Sequence, residues 1–181
     1  SIDTYKASVA EAAIERGACI INDISALRDP KMAPLAARTG AALILMHMRG
    51  TPETMQKGKL DYNDITSEIS TFLELSISKA LEAGIPKTKC MVDPGLGFGK
   101  TTEHNLKLTG EMDSLLKLEC PIVYGPSRKR FLGDVTGHPV TDRDRATAAA
   151  CAIARLAGAH IFRVHNIAEV SDALKMAEAV R

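Results

Sequence analysis

One unit repeats along this chain: a short apolar run, a polar cluster, then a helical pattern closed by glycine. The apolar runs lie at 19–21, 42–46, 90–92, 121–124 and 160–162, and residues 1–3 resemble the tail of one more. Each run is short, continuous and mostly branched at Cβ or nearly so, as expected of a parallel strand buried on both faces. The helical stretches close at Gly17, Gly40, Gly84 and Gly158, where a left-handed cap costs glycine little. Asp29 before Pro30 reads as a capping carboxylate ahead of a first-turn proline. Asn166 with Glu169 reads as a capping box, followed by an apolar stripe of Ile167, Val170, Leu174, Ala177 and Val180.

Six β-α units, the first partial, fit two architectures. One is a (β/α)8 barrel lacking its first two units; the other is an open doubly wound sheet. Periodicity alone does not separate them. The 181 residues amount to one domain with a single sizeable core. The net charge of +1 argues against a nucleic-acid or membrane-surface partner, both of which leave a basic excess. No apolar run approaches the roughly 20 residues that span a bilayer. Cys19, Cys90, Cys120 and Cys151 are far apart and form no CxxC pair, so they read as buried free thiols in a reducing compartment. The start at Ser1, already inside an ordered-looking motif, reads as that of a fragment of a longer chain.

Helix-to-strand connections are tight and plain, whereas strand-to-helix connections hold the unusual residues. In a parallel α/β barrel the chemistry sits at the C-terminal ends of the strands, so these are the residues to weigh. Residues 93–100 read DPGLGFGK: a carboxylate at a strand end, then three alternate glycines that let backbone approach a flat or anionic ligand. This is neither a Walker A loop, since Pro94 stands where glycine is needed, nor GxGxxG, since Lys100 takes the third glycine's place. Asn22 and Asp23 end another run and offer donors and acceptors to a heterocycle edge, or serve a turn. Met46, His47 and Met48 read as core packing, and residues 49–61 as a longer polar connection able to act as a mobile lid. Arg163 and His165, two apart, would point the same way, and Lys129 could join them from the neighbouring strand to cradle a pyrophosphate. Residues 142–145, DRDR, read as a helix start with surface ion pairs.

Together, residues 1–6, 20–23, 45–52, 93–100, 127–129 and 163–165 resemble the dihydropteroate synthase family, a pterin-binding (β/α)-barrel family, over essentially the whole chain. The resemblance implies a TIM barrel, with residues 1–181 as one pterin-binding domain supplying its third to eighth units. It implies the condensation of 6-hydroxymethyl-7,8-dihydropterin pyrophosphate with p-aminobenzoate to 7,8-dihydropteroate and pyrophosphate, by an SN1-like route. Asp3, Asn22, Asp93 and Lys129 would bind the pterin, with Asp3, Asp93 and Lys129 catalytic. Arg163 and His165 would hold the pyrophosphate, and Ser127, Lys129 and Phe98 would face the aminobenzoate. Magnesium, a homodimer through helices late in the barrel and a cytoplasmic location are implied as well. The family's magnesium-associated asparagine would precede residue 1, so the chain by itself is expected to bind pterin weakly and not turn over. A folate-to-corrinoid methyltransferase on a related barrel is the nearest other enzyme, and a degenerate interaction module the non-enzyme alternative.

Overall fold

The structure, a computed structural model, describes residues 1–56, 58 and 60–181. All six apolar runs are strands: β1 (Ile2–Asp3), β2 (Ile20–Asp23), β3 (Ala42–Met46), β4 (Cys90–Asp93), β5 (Val123–Tyr124) and β6 (Ile161–Phe162). Among the described residues seven α-helices follow the strands, two of them between β5 and β6: α1 (Ala7–Ile14), α2 (Met32–Thr39), α3 (Ile65–Glu82), α4 (Thr102–Gly110), α5 (Arg130–Thr136), α6 (Asp144–Leu156) and α7 (Ile167–Ala179). The glycines expected to close helices all adopt positive φ, between +68° and +105°.

Every strand pairing is parallel and joins neighbours in sequence: β1 to β2, β2 to β3, β3 to β4, and β5 to β6. A parallel bridge between Val92 and Ile122 carries the sheet from β4 to β5. A doubly wound sheet reverses its strand order at a switch point; this one never does. Six flat strands would also hold β1 and β6 roughly 24 Å apart, at about 4.8 Å per step. Yet Arg163, one residue past β6, donates from Nη1 to Oδ2 of Asp3, the last residue of β1, at 3.2 Å. The sheet therefore curls, and the six units belong to a (β/α)8 barrel.

Burial on both faces explains the unbroken apolar runs. Leu43, Ile44, Leu45 and Met46 of β3 are all buried, and Ile21, Val92, Ile122 and Tyr124 continue the same core. The outer unit departs from the expected stripe. Val170 and Ala177 of α7 are buried, but Ile167 and Val180 are exposed, and Phe162, Val164 and Leu174 border an open groove of about 860 Å³. β6 has one strand neighbour among the described residues, so less of α7 is covered than of the inner helices.

Two capping expectations change. α2 begins at Met32, not Pro30, and its N-cap Lys31 makes no side-chain cap. Asp29 instead takes two backbone N–H groups, from Lys31 at 2.9 Å and from Ala7, the first residue of α1, at 2.9 Å. Its carboxylate thus closes the start of a different helix, and those bonds hold its pKa below the usual value. At α7, Asn166 accepts from the Glu169 N–H at 3.3 Å, but its amide donates to the Glu169 carboxylate, so the reciprocal bond is between side chains. Cys90, Cys120 and Cys151 are buried free thiols as expected; Cys19, just ahead of β2, is exposed.

Candidate functional site

The strand ends converge on one rim. Asp93 closes β4 and is 3% exposed. Its Oδ1 accepts the Gly95 N–H at 2.7 Å, and its backbone carbonyl accepts the His47 N–H at 2.9 Å. Burial raises its pKa, while the charges of Lys129, Arg163 and Lys100 and the Gly95 bond pull the other way. A carboxylate in that position is poised to take paired N–H donors from a ligand.

Asn22, the last residue but one of β2, lies beside Asp3 of β1, the two being direct register partners. Its Nδ2 donates to Asp3 Oδ2 at 3.0 Å, whereas its Oδ1 is buried with no hydrogen-bond partner among the described residues. A buried acceptor left unpaired costs about 1–3 kcal/mol, a cost that a donor on a bound ligand removes. Asp23, the other half of the dipeptide, is turn chemistry. It accepts from Ser25 N–H and Oγ–H and from Leu27 N–H, holding Ala26 and Leu27 at positive φ.

Lys129, at the start of α5, turns its ammonium inward to Leu96 O and lies 5.0 Å from the centre of the Phe98 ring. Burial brings its pKa down to about 8, against the pull of Asp93. Arg163 reaches Asp3, and Ser127 Oγ lies 2.7 Å from His165 Nδ1 and accepts the His165 N–H at 3.1 Å. Arg163 and His165 are both exposed on the rim. The eight expected positions thus fall on the strand ends and the loops that follow them. Electrostatic and hydrogen-bond links tie Asp3, Asn22, Asp93, Lys129, Phe98 and Arg163 into one cluster, and Ser127 with His165 forms a second pair beside it.

The structure adds groups with no assigned role in the sequence reading. Residues 142–145 are not merely surface ion pairs. Arg128, at φ +58°, donates from Nε and Nη2 to the two Asp144 carboxylate oxygens at 2.8 and 2.9 Å. Arg143 Nη1 donates to the carbonyls of Arg128 and Lys129 at 3.1 and 3.3 Å. This network braces the backbone that carries Lys129. Its members look like any exposed basic and acidic residues until the left-handed turn at Arg128 brings them together. His47 is a satisfied core histidine, its pKa pushed down to about 3 by burial and by the neighbouring Lys100. Met46 and Met48 are buried core, as expected. The described part of the 49–61 connection folds over the glycine loop, with Gln56 Nε2 donating to Gly97 O at 2.6 Å. Lys57 and Lys59 of that connection lie outside the described residues. Among the described residues, no three His, Cys, Asp or Glu side chains group closely enough to hold a metal ion.

The sequence pattern described as "Pterin binding enzyme" matches residues 1–165. The chain belongs to the pterin-binding enzyme family. Within it, the chain is 44% identical over 192 residues to the mitochondrial folate synthesis bifunctional protein of Arabidopsis thaliana, covering 99% of this chain and 35% of that one. The solved dihydropteroate synthase of Yersinia pestis, in a sulfonamide complex, superposes with a TM-score of 0.95 at 38% identity, over 99% of this chain and 65% of that one. The Thermus thermophilus dihydropteroate synthase, in complex with 4-aminobenzoate, superposes at 0.93 and 38% identity, over 99% and 69%. The chain thus spans about a third of the plant relative and about two thirds of each bacterial one.

Proposed function

We propose that this chain carries the pterin, aminobenzoate and pyrophosphate sites of a dihydropteroate synthase. The reaction joins 6-hydroxymethyl-7,8-dihydropterin pyrophosphate to 4-aminobenzoate and releases pyrophosphate. One observation carries the reading: a buried carboxylate, Asp93, and a buried acceptor unpaired among the described residues, Asn22 Oδ1, share a rim with Lys129 and Arg163. An electron-poor bicycle rich in N–H donors, bearing an anionic tail, matches that polarity. The Thermus relative's aminobenzoate complex supports the aminobenzoate site.

In this reading the carbon–oxygen bond to pyrophosphate breaks first, and its electron pair leaves with the pyrophosphate. The aniline nitrogen then gives its lone pair to the pterin methylene, forming the new C–N bond, and loses a proton to solvent or the departing anion. Asp3 and Asp93 would offset the positive charge that develops on the pterin, and Arg163 with His165 the negative charge that departs, with the Asp3–Arg163 pair at the boundary between them. Fixed charges aimed at those changes lower the barrier without reorganising. Lys129, against Phe98 and beside Asp93, would sit between pterin and aminobenzoate, with Ser127 at the same edge. Magnesium finds no ligand set among the described residues, so no step is routed through it.

A homodimer in the cytoplasm completes the reading. Exposed Ile153 and Leu156 on α6 support the first, and three buried free thiols support a reducing compartment. Among the described residues no helix is long and apolar enough to cross a membrane. The test is calorimetric titration with a reduced pterin and with pyrophosphate, followed by chromatography for dihydropteroate. Both ligands should bind, and Asp93→Ala should abolish pterin binding alone. A wild-type protein that binds no pterin at millimolar concentration would sink the proposal.

A further inference from the structure

Lys100 is buried, 4% exposed, and makes no ion pair among the described residues. Its Nζ is instead surrounded by neutral acceptors: Gly95 O at 2.8 Å, His47 Nδ1 at 3.0 Å, Phe98 O at 3.1 Å and His47 O at 3.5 Å. A buried ammonium needs such partners to offset lost hydration. His47 serves because it stays neutral, its Nδ1 free to accept, with Phe72 packed edge-on against the ring at 4.9 Å.

Around this cation the glycine loop is held one carbonyl at a time. Gly95 O and Phe98 O point to Lys100, Leu96 O to Lys129, Gly97 O to Gln56 and Gly99 O to the Tyr62 hydroxyl. Gly95, Gly97 and Gly99 all have positive φ, and a loop with three such glycines has little shape of its own. The side-chain donors decide its shape, and Lys100 alone supplies two of the five.

We propose that Lys100 is a positioning residue for the aminobenzoate end of the site: by gathering Gly95 O and Phe98 O around one ammonium, it fixes where the Phe98 ring and the Leu96 carbonyl meet Lys129. Its pKa, lowered to about 7 mainly by burial, agrees with an ammonium held by carbonyls instead of a carboxylate. The proposal rests on the reading of Phe98 and Lys129 as facing the aminobenzoate.

The test is Lys100→Met, which keeps the length of the side chain and removes its donors. Misplacing a ring by about 1 Å is expected to cost on the order of 10-fold in affinity or more. 4-Aminobenzoate, titrated in the presence of a pterin and pyrophosphate, should therefore weaken by about that factor, while the pterin itself changes by less than about 3-fold. Lys100→Gln, which keeps N–H donors without the charge, should recover part of the loss. An equal fall for both ligands, or none for either, overturns the proposal. A ligand-free measurement runs beside it: with 4-fluorophenylalanine incorporated, the Phe98 fluorine resonance should shift or broaden in Lys100→Met or, if that variant does not fold, in Lys100→Gln. An unchanged resonance overturns the proposal too. A wild-type protein that binds neither ligand overturns the functional reading, and the fluorine resonance then decides the role of Lys100 in shaping the loop.

Discussion

Arg163 Nη1 and Asp3 Oδ2 lie 3.2 Å apart although 160 positions separate them in the chain. Both side chains are about half exposed, so the pair contributes only about 0–1 kcal/mol to stability. Under the proposed function its weight would lie in binding, where an arginine fork on phosphate oxygens is worth about 1.5–3 kcal/mol. Arg163→Ala is therefore expected to lower pyrophosphate affinity by roughly 10- to 150-fold by calorimetry. The melting temperature should move by no more than about 4 °C. A large drop in melting temperature with unchanged affinity would make the arginine a staple of the rim and remove it from the site.

Asp93→Asn separates charge from shape. The amide oxygen can still accept the Gly95 N–H, so the loop should keep its path. The other end of the amide then presents a donor to a pterin edge that also donates. The expected loss in pterin affinity is about 2–3 kcal/mol, roughly 30- to 150-fold, with little change in the melting curve. The pH dependence has a definite sign. Burial raises this pKa, so pterin binding should fall as pH drops through the raised value, because protonated Asp93 no longer offers two acceptor oxygens. Stability runs the opposite way. A raised carboxylate pKa means the folded state holds the proton more tightly, so the penalty for burying Asp93 grows as pH rises and is absent in acid.

The inner strands β2 to β5 were legible because they are buried on both faces, and continuous apolar runs such as 42–46 record that directly. Asp93 and Asn22 were legible as strand-end polar residues in unusual local sequence. The choice between a barrel and an open sheet was not legible in the periodicity, and only the family resemblance pointed to the barrel. Local periodicity records burial at each position, whereas strand order and curvature depend on contacts as distant as Asp3 with Arg163. The same limit hid the double role of Asp29, whose second partner, Ala7, lies 22 residues away. It also hid the brace of Arg128, Arg143 and Asp144, because a left-handed arginine leaves no mark in composition. Lys100 stood in plain view within its motif. A lysine after a glycine loop suggests a phosphate contact, and only its neutral surroundings show an ammonium turned into the protein.

Lys129 should lose its proton well below the range of an ordinary lysine as pH rises. Burial brings its pKa down to about 8, with Asp93 opposing the shift. A lysine whose folded pKa lies below its unfolded value disfavours folding while charged, so its contribution to stability improves as pH climbs from about 8 towards the unfolded value near 10.4. Under the proposed function Lys129 faces the aminobenzoate, so binding of that anion should move the other way. Carbon-13 titration of the lysine ε-carbons should show one resonance, removed by Lys129→Met, with a midpoint near 8, and aminobenzoate affinity should decline over the same interval. A midpoint above 10 for that resonance would rule out the buried placement of the ammonium.

Gly95 and Gly40 both have φ +68°, which makes them a matched pair for separating strain from crowding. A Cβ on Gly40 would meet nothing within 4 Å, whereas one on Gly95 would lie 1.8 Å from the His47 carbonyl oxygen, a backbone atom with no room to move. Gly40→Ala should thus cost about 1–2 kcal/mol, the left-handed penalty alone. Gly95→Ala adds the displacement of the glycine loop from the end of β3. That displacement moves the His47 carbonyl, the ring around Lys100 and the N–H that Asp93 accepts. Gly95→Ala should cost about 3 kcal/mol or more, a fall of roughly 6–12 °C in melting temperature, and should weaken pterin binding while Gly40→Ala leaves it unchanged. Equal melting temperatures for the two variants would mean that the loop does not pack backbone-on-backbone against His47, and the positions of Asp93 and Phe98 would need to be redrawn.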